Sequence, residues 1–239
     1  MYEIANFKLS DTLRCGADLR GVGDGADSME DACRAAVEYL YAMLGDGSSP
    51  ACVLARVFLT LPYGSLPPGL QQFARRFPVD DSLSEATRCL TLLATAGLLP
   101  EWNSRLSSEG HQAIPLVSEK AIAGAPMIAS LLAQLGVPTA ALLGASPELM
   151  VDHSTQSYNV FHVPVALGSP LVPAQEKFVL PHRVESVLGF GGMLGPGALF
   201  AVILFLRVRV SHQTAELFRT VALNMKVALL PLQRGAIFS

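Results

Sequence analysis

A chain of 239 residues that is 51% hydrophobic can bury a full core, and its length admits one large domain or two small ones. Charged residues make up only 15% and the net charge is −3, so nothing attracts the chain generally to nucleic acid or to an anionic bilayer. The expected partners are other proteins and small molecules.

Residues 1–26 show no clear period, and the GVGDGAD stretch at 21–27 reads as a loop, so 1–27 is taken as an N-terminal extension. The first ten residues lack the basic-then-apolar layout of a secretory signal, which points to a cytoplasmic chain. In that compartment Cys15, Cys33, Cys52 and Cys89, none in a C-x-x-C pair, read as small buried hydrophobes rather than as zinc or redox groups.

Ser28, with Asp31 three residues on, caps a helix whose apolar positions run Ala32, Ala36, Val37, Leu40, Met43 and Leu44. Residues 51–61 (ACVLARVFLTL) predict a buried strand, 69–77 a short helix and 87–96 a second strand. The stretch 97–108 reads as a loop around Trp102, the single tryptophan, and 111–117 as a shorter strand. Ser118 caps a brief turn, and a firmer helix runs from Pro126 to a stop at Gly136. Residues 147–157 predict another short helix, 158–163 (YNVFHV) a strand, and 178–180 a short strand before Pro181.

Residues 187–206 carry no charge over a length that could cross a bilayer as a helix. Gly195-Pro196-Gly197 in its middle and the Gly189, Gly191 and Gly192 cluster predict instead two strands joined by a turn, with a membrane helix as the alternative. Ser211 caps the last helix, with Phe218, Val221, Ala222, Met225 and Leu229 as its stripe. Leu217, Val227 and Leu230 fall off that stripe and form a second apolar edge, so a homodimer with this helix in its interface is expected. The whole reads as one α+β domain over 28–231, with helices packed on a sheet, and a tail over 232–239.

The carboxyl-terminal third carries a family resemblance. Val184-Glu185-Ser186-Val187-Leu188-Gly189-Phe190, a turn, Leu199-Phe200-Ala201-Val202-Ile203-Leu204 and a helix with Ala215-Glu216-Leu217-Phe218 resemble the end of a GAF domain; PAS domains share the architecture. The resemblance implies a central antiparallel sheet, dimerisation through the first and last helices, and a small-molecule pocket beside the sheet. Cyclic nucleotides, bilins and haem are ligands of such domains. The N-K-x-F-x-x-x-D-E signature of the cyclic-nucleotide binders is absent here, and the segments 62–86 and 97–117 are unusually long. The role implied is a sensory or regulatory domain whose signalling output protein lies on another chain or outside this segment. A ligand-free scaffold that docks a signalling partner is the second reading.

No residue pattern specifies catalysis. Gly189-Phe190-Gly191-Gly192 fails the dinucleotide fingerprint because Leu194 holds the last glycine position. The five histidines form neither H-x-x-x-H nor H-E-x-x-H, and Asp152-His153 is only an adjacent pair. Asp80-Asp81 and Glu216 suit a solvated surface. The chain is therefore expected not to be an enzyme. The candidate ligand site is Tyr158, Phe161, His162 and His182, late segments where the resemblance places a cavity. Alternation puts Tyr158 and His162 on one face and Phe161 on the other, and the first face is the expected pocket wall. His162 is the candidate haem ligand; its other reading is an imidazole hydrogen-bonded to backbone.

Overall fold

The computed structural model describes residues 1–47, 49–77, 83–143, 158–195 and 197–239. The expected helix over 147–157, Asp152-His153 and Asp80-Asp81 lie outside them. The main elements are α1 (Leu9–Arg20), α2 (Met29–Met43), β1 (Cys52–Pro62), α3 (Pro68–Ala74), β2 (Arg88–Gly97), β3 (Ala113–Pro115), α4 (Pro126–Leu135), β4 (Tyr158–Val163), β5 (Ser186–Gly195), β6 (Ala198–Leu206) and α5 (His212–Leu229).

Six strands form one antiparallel sheet in the order β3-β2-β1-β6-β5-β4, so the first and last strand groups meet at the central pair β1 and β6. This is the α+β class expected, with the central antiparallel sheet and packed helices that the GAF resemblance implies. The charge-free stretch is the β5–β6 hairpin, and no helix among the described residues is long and apolar enough to cross a membrane. Pairing between β1 and β2 is interrupted once: Val57 faces Ala94 while Phe58 faces Leu92, so Leu93 is an extra, bulged residue.

Period-two alternation divides the apolar side chains between two cores. On one face α1, α2 and α5 cover Val57, Leu93, Phe190, Phe200 and Val202. On the other, α4 and the loops around it cover Phe58, Leu92, Phe161, Ile203 and Phe205. All four cysteines are free and buried in the helix-covered core, and burial pushes Cys15, Cys52 and Cys89 up to about 12. At neutral pH they are inert thiols, as the scattered spacing suggested.

Local signals set the helix ends. Ser28 Oγ accepts from Asp31 N at 3.0 Å, Ser211 Oγ accepts from Thr214 N at 3.0 Å, and Gly136 closes α4 in the left-handed conformation at φ 69°. The segment 178–180, expected as a short strand, is helical instead: Gln175–Val179 makes a π-type turn that runs into Leu180–His182. Gln175 anchors the start of this segment to the loop before it, its Nε2 donating to the carbonyls of Ala166, Ser169 and Val172.

The N-terminal residues, aperiodic in sequence, fold as α1 against α5. The buried positions are Thr12, Cys15, Gly16 and Leu19, at helical spacing but small or polar in all but Leu19, whereas Leu9 and Leu13 are 62% and 63% exposed. Gly16 permits the contact: a Cβ there would sit 2.5 Å from Asn224 Nδ2. Asn224 in turn accepts from Arg20 Nε and Nη2 at 3.1 and 2.6 Å. Leu223, Val227 and Leu230 are exposed on α5 and just beyond it, whereas Leu217, assigned to the same apolar edge from sequence, packs against the core.

Candidate functional site

Between the sheet and the loops that cover its second face lies a cavity of about 440 Å³. Leu54, Phe58, Leu90, Ile203 and Phe205 form its sheet wall, and Ile128 and Leu131 of α4 close one side. Ile114 of β3, the 101–111 loop and the 173–178 turn line the other sides. Volume and lining suit a small, largely apolar molecule.

Trp102 holds the loop side. It sits in a single 3-10 turn, Pro100–Trp102, fixed by Asn103, whose Oδ1 accepts from Gly97 N at 2.8 Å. The indole lies directly on β2 because Gly97 has no side chain: a Cβ there would come within 3.0 Å of Trp102 Cβ and 2.9 Å of Leu54 Cδ1. Phe178 meets Trp102 edge-on with centroids 5.4 Å apart and Phe205 at 5.0 Å and 90°, which makes one aromatic wall. His111 and Ala174 line the cavity in left-handed backbone at φ 59° and 56°. Such strain costs about 1–2 kcal/mol per residue and concentrates at binding sites.

The polar centre is Arg56. It points from the middle of β1 into the cavity, flanked across the sheet by Thr95 on β2 and Ile203 on β6. Its Nη2 reaches Ser108 Oγ at 3.5 Å, the outer limit of a hydrogen bond. Among the described residues, two buried side-chain polar atoms have no partner, and they are Arg56 Nε and Thr95 Oγ1. Burial lowers the Arg56 guanidinium to about 10, so it stays cationic at neutral pH. The His111 imidazole is open to water yet walled by protein; that setting, and secondly the Arg56 charge, depress its pKa.

Of the four residues chosen from sequence, Phe161, His162 and His182 do not converge. Phe161 is fully buried in the core on the cavity side but does not line the cavity. His182 packs edge-on against Trp102 at 4.8 Å and against Phe178 at 5.9 Å, bracing the aromatic wall from behind. Tyr158 opens β4 opposite Gly192, and its side chain lies outside the described residues.

His162 departs most from expectation. It faces away from the cavity because alternation along β4 sends Phe161 and Val163 to that side. Its Nε2 donates to the Val210 carbonyl at 2.9 Å, tying the edge strand to the segment before α5. A second, more open depression of about 370 Å³ lies there, with His212, Glu216 and Arg219 on its rim. Arg219 on that rim pairs with Glu216 at 2.9 Å, and His212 Nε2 lies 3.8 Å from the same carboxylate. A haem held by His162 does not fit this arrangement, and no group of three or more potential metal ligands occurs among the described residues.

Burial, with a smaller contribution from His212, lowers the His162 pKa against the opposing effect of the Val210 bond. A depressed imidazole keeps its full stabilising effect above its unfolded value of roughly 6.5 and loses it as pH falls below that value. Between about pH 7.5 and 5.5 the melting temperature of the wild type should therefore fall more steeply than that of His162→Gln. Parallel curves in a differential scanning experiment would show that His162 carries none of the acid sensitivity.

Arg56 and Trp102 were passed over in the sequence. The available signal was a lone arginine inside the otherwise apolar run ACVLARVFLTL, where an unpaired charge has no structural reason to sit.

No family model matches the chain, and neither does any curated protein. Nine chains of solved structures do match. One is the crystal structure of the phycoerythrobilin-bound GAF domain from a cyanobacterial phytochrome. It is 11% identical, with 95% of this chain and 96% of that chain covered and a TM-score of 0.41.

Proposed function

We propose that this chain is a non-catalytic, ligand-sensing regulatory domain that takes a small, largely apolar molecule in the cavity between the sheet and α4. The observation that carries the reading is the 440 Å³ cavity itself, apolar and aromatic on its walls around one unsatisfied cation. The flat faces of Trp102 and Phe178 favour a ligand with a ring system. If that ligand were haem, His111 would be the histidine facing it, since His162 is on the other side of the sheet.

A relay toward the terminal segments supports the regulatory role. Arg105, three residues after Trp102, pairs with Glu30 at the start of α2 and stacks on Phe238 of the tail. The tail also accepts hydrogen bonds from α2, from Met29 N to the Ala236 carbonyl and from Glu30 N to that of Ile237. Displacement of the 101–111 loop by a ligand would thus reach the segment following α5. A homodimer belongs to the same reading: Leu9 and Leu13 of α1, with Leu223, Val227 and Leu230, leave apolar side chains exposed on two helices packed side by side.

Trp102 makes the test direct, because the only tryptophan lines the cavity. Binding of small aromatic compounds should change its fluorescence saturably, and Ile128→Trp, which fills the cavity from α4, should abolish thermal stabilisation by the same compounds. Sedimentation velocity on the same samples should give the mass of two chains. Undiminished binding by the filled variant would defeat the cavity reading, and a single-chain mass would defeat the dimer.

A further inference from the structure

We propose that the cavity ligand is a carboxylate, seated on the Arg56 guanidinium with its apolar body against Trp102 and Phe178. This deepens the ligand-sensing reading and rests on it.

Three observations converge. First, Arg56 has no acid to pair with. The arginine–carboxylate pairs among the described residues lie elsewhere, on Asp11, Asp31, Glu30, Glu185 and Glu216. A desolvated guanidinium left unpaired opposes folding, so the fold gains nothing by keeping it there. Second, the unsatisfied atoms lie together. Thr95 is the direct cross-strand partner of Arg56, so the orphaned hydroxyl and the orphaned Nε share one face of the sheet. A guanidinium fork matches a carboxylate with two parallel bonds, and an oxygen placed there also comes beside the Thr95 hydroxyl. Third, the surroundings limit the charge. Lys177 lies at the mouth with Glu101 and Glu109, all three exposed, and the two carboxylates disfavour a polyanion such as a nucleotide. The deeper walls, Leu54, Phe58, Leu90 and Ile203, are hydrocarbon. One negative charge on an apolar body is the complement.

The experiment uses ω-phenylalkanoic acids from phenylacetate to 6-phenylhexanoate and the matched primary amides, read by Trp102 fluorescence and by calorimetry. In the wild type at least one acid should bind ten-fold or more tightly than its amide, because the amide cannot neutralise the guanidinium. Arg56→Met should erase that preference, retain amide binding and melt no lower than the wild type. Arg56→Lys should keep part of the preference. Equal binding of acid and amide overturns the carboxylate assignment while leaving the cavity reading intact, as does a preference that survives in Arg56→Met. A large fall in melting temperature for Arg56→Met, together with an unfolded Arg56→Lys, makes the residue structural and overturns it too. If no acid and no amide binds, the cavity reading falls and the carboxylate with it.

Discussion

Arg105→Ala should lower the stability of the domain by about 3–5 kcal/mol, the range for removing one partner of a buried pair. The two side chains are 11% and 12% exposed, with Nε–Oε1 at 2.5 Å and Nη2–Oε2 at 2.9 Å, a two-pronged contact largely out of water. Phe238 lies 5.0 Å beneath the guanidinium, and Ser239 N donates to Glu30 Oε2 at 3.3 Å. Truncation leaves the Glu30 carboxylate desolvated, with only the amino terminus of α2 and the tail to offset it. In a chain of this size the melting temperature should fall by roughly 2–4 °C per kcal/mol. Urea unfolding followed by circular dichroism measures the loss, and Arg105→Met with Glu30→Gln should recover most of it. A loss under about 1 kcal/mol would mean that the pair behaves as an exposed one.

Phe218→Ala should be as damaging, by about 3–5 kcal/mol, through the cavity it leaves. Phe218 is fully buried, with its ring 4.9 Å from Phe7 ahead of α1 and 5.7 Å from Phe190 on β5. One ring thus joins the amino-terminal segment, the last helix and the centre of the sheet. Phe218→Leu, which keeps most of the volume, should cost less than half as much, roughly 1.5 kcal/mol or under. If alanine and leucine prove equal in equilibrium unfolding, the site relaxes around the loss and these three elements are not coupled through it.

The contrast between Phe218 and Thr12 explains what the sequence disclosed. Phe218, Val221, Ala222, Met225 and Leu229 advertise the buried face of α5 because burial there selects large apolar groups. The strand at Cys52–Pro62 and the hairpin strands Ser186–Gly195 and Ala198–Leu206 were equally legible, their apolar runs broken by glycine and proline. In α1 the logic reverses: close approach to α5 requires small or polar Thr12, Cys15 and Gly16, and two of the three leucines, Leu9 and Leu13, face outward. No hydrophobic period marks such a helix. The site was hidden for a related reason. Its walls come from β1, β2, β3, β6, α4 and two irregular segments, which only the strand order brings together. Alternation correctly separated Phe161 from His162, but it could not say which face would be left open.

The bulged residue on β2 also decides what the cavity wall is made of. A regular ladder continued past Leu92 would set Ala94 opposite Arg56 and Ala96 opposite Leu54. With Leu93 inserted, Thr95 and Gly97 hold those places, and Ala94 and Ala96 join the helix-covered core. The strand therefore has a parity, and one extra residue chooses it. Read in the other parity, the same ten residues would face the guanidinium with a methyl group instead of a hydroxyl. They would also raise a second methyl under the indole, which could then no longer rest on the sheet.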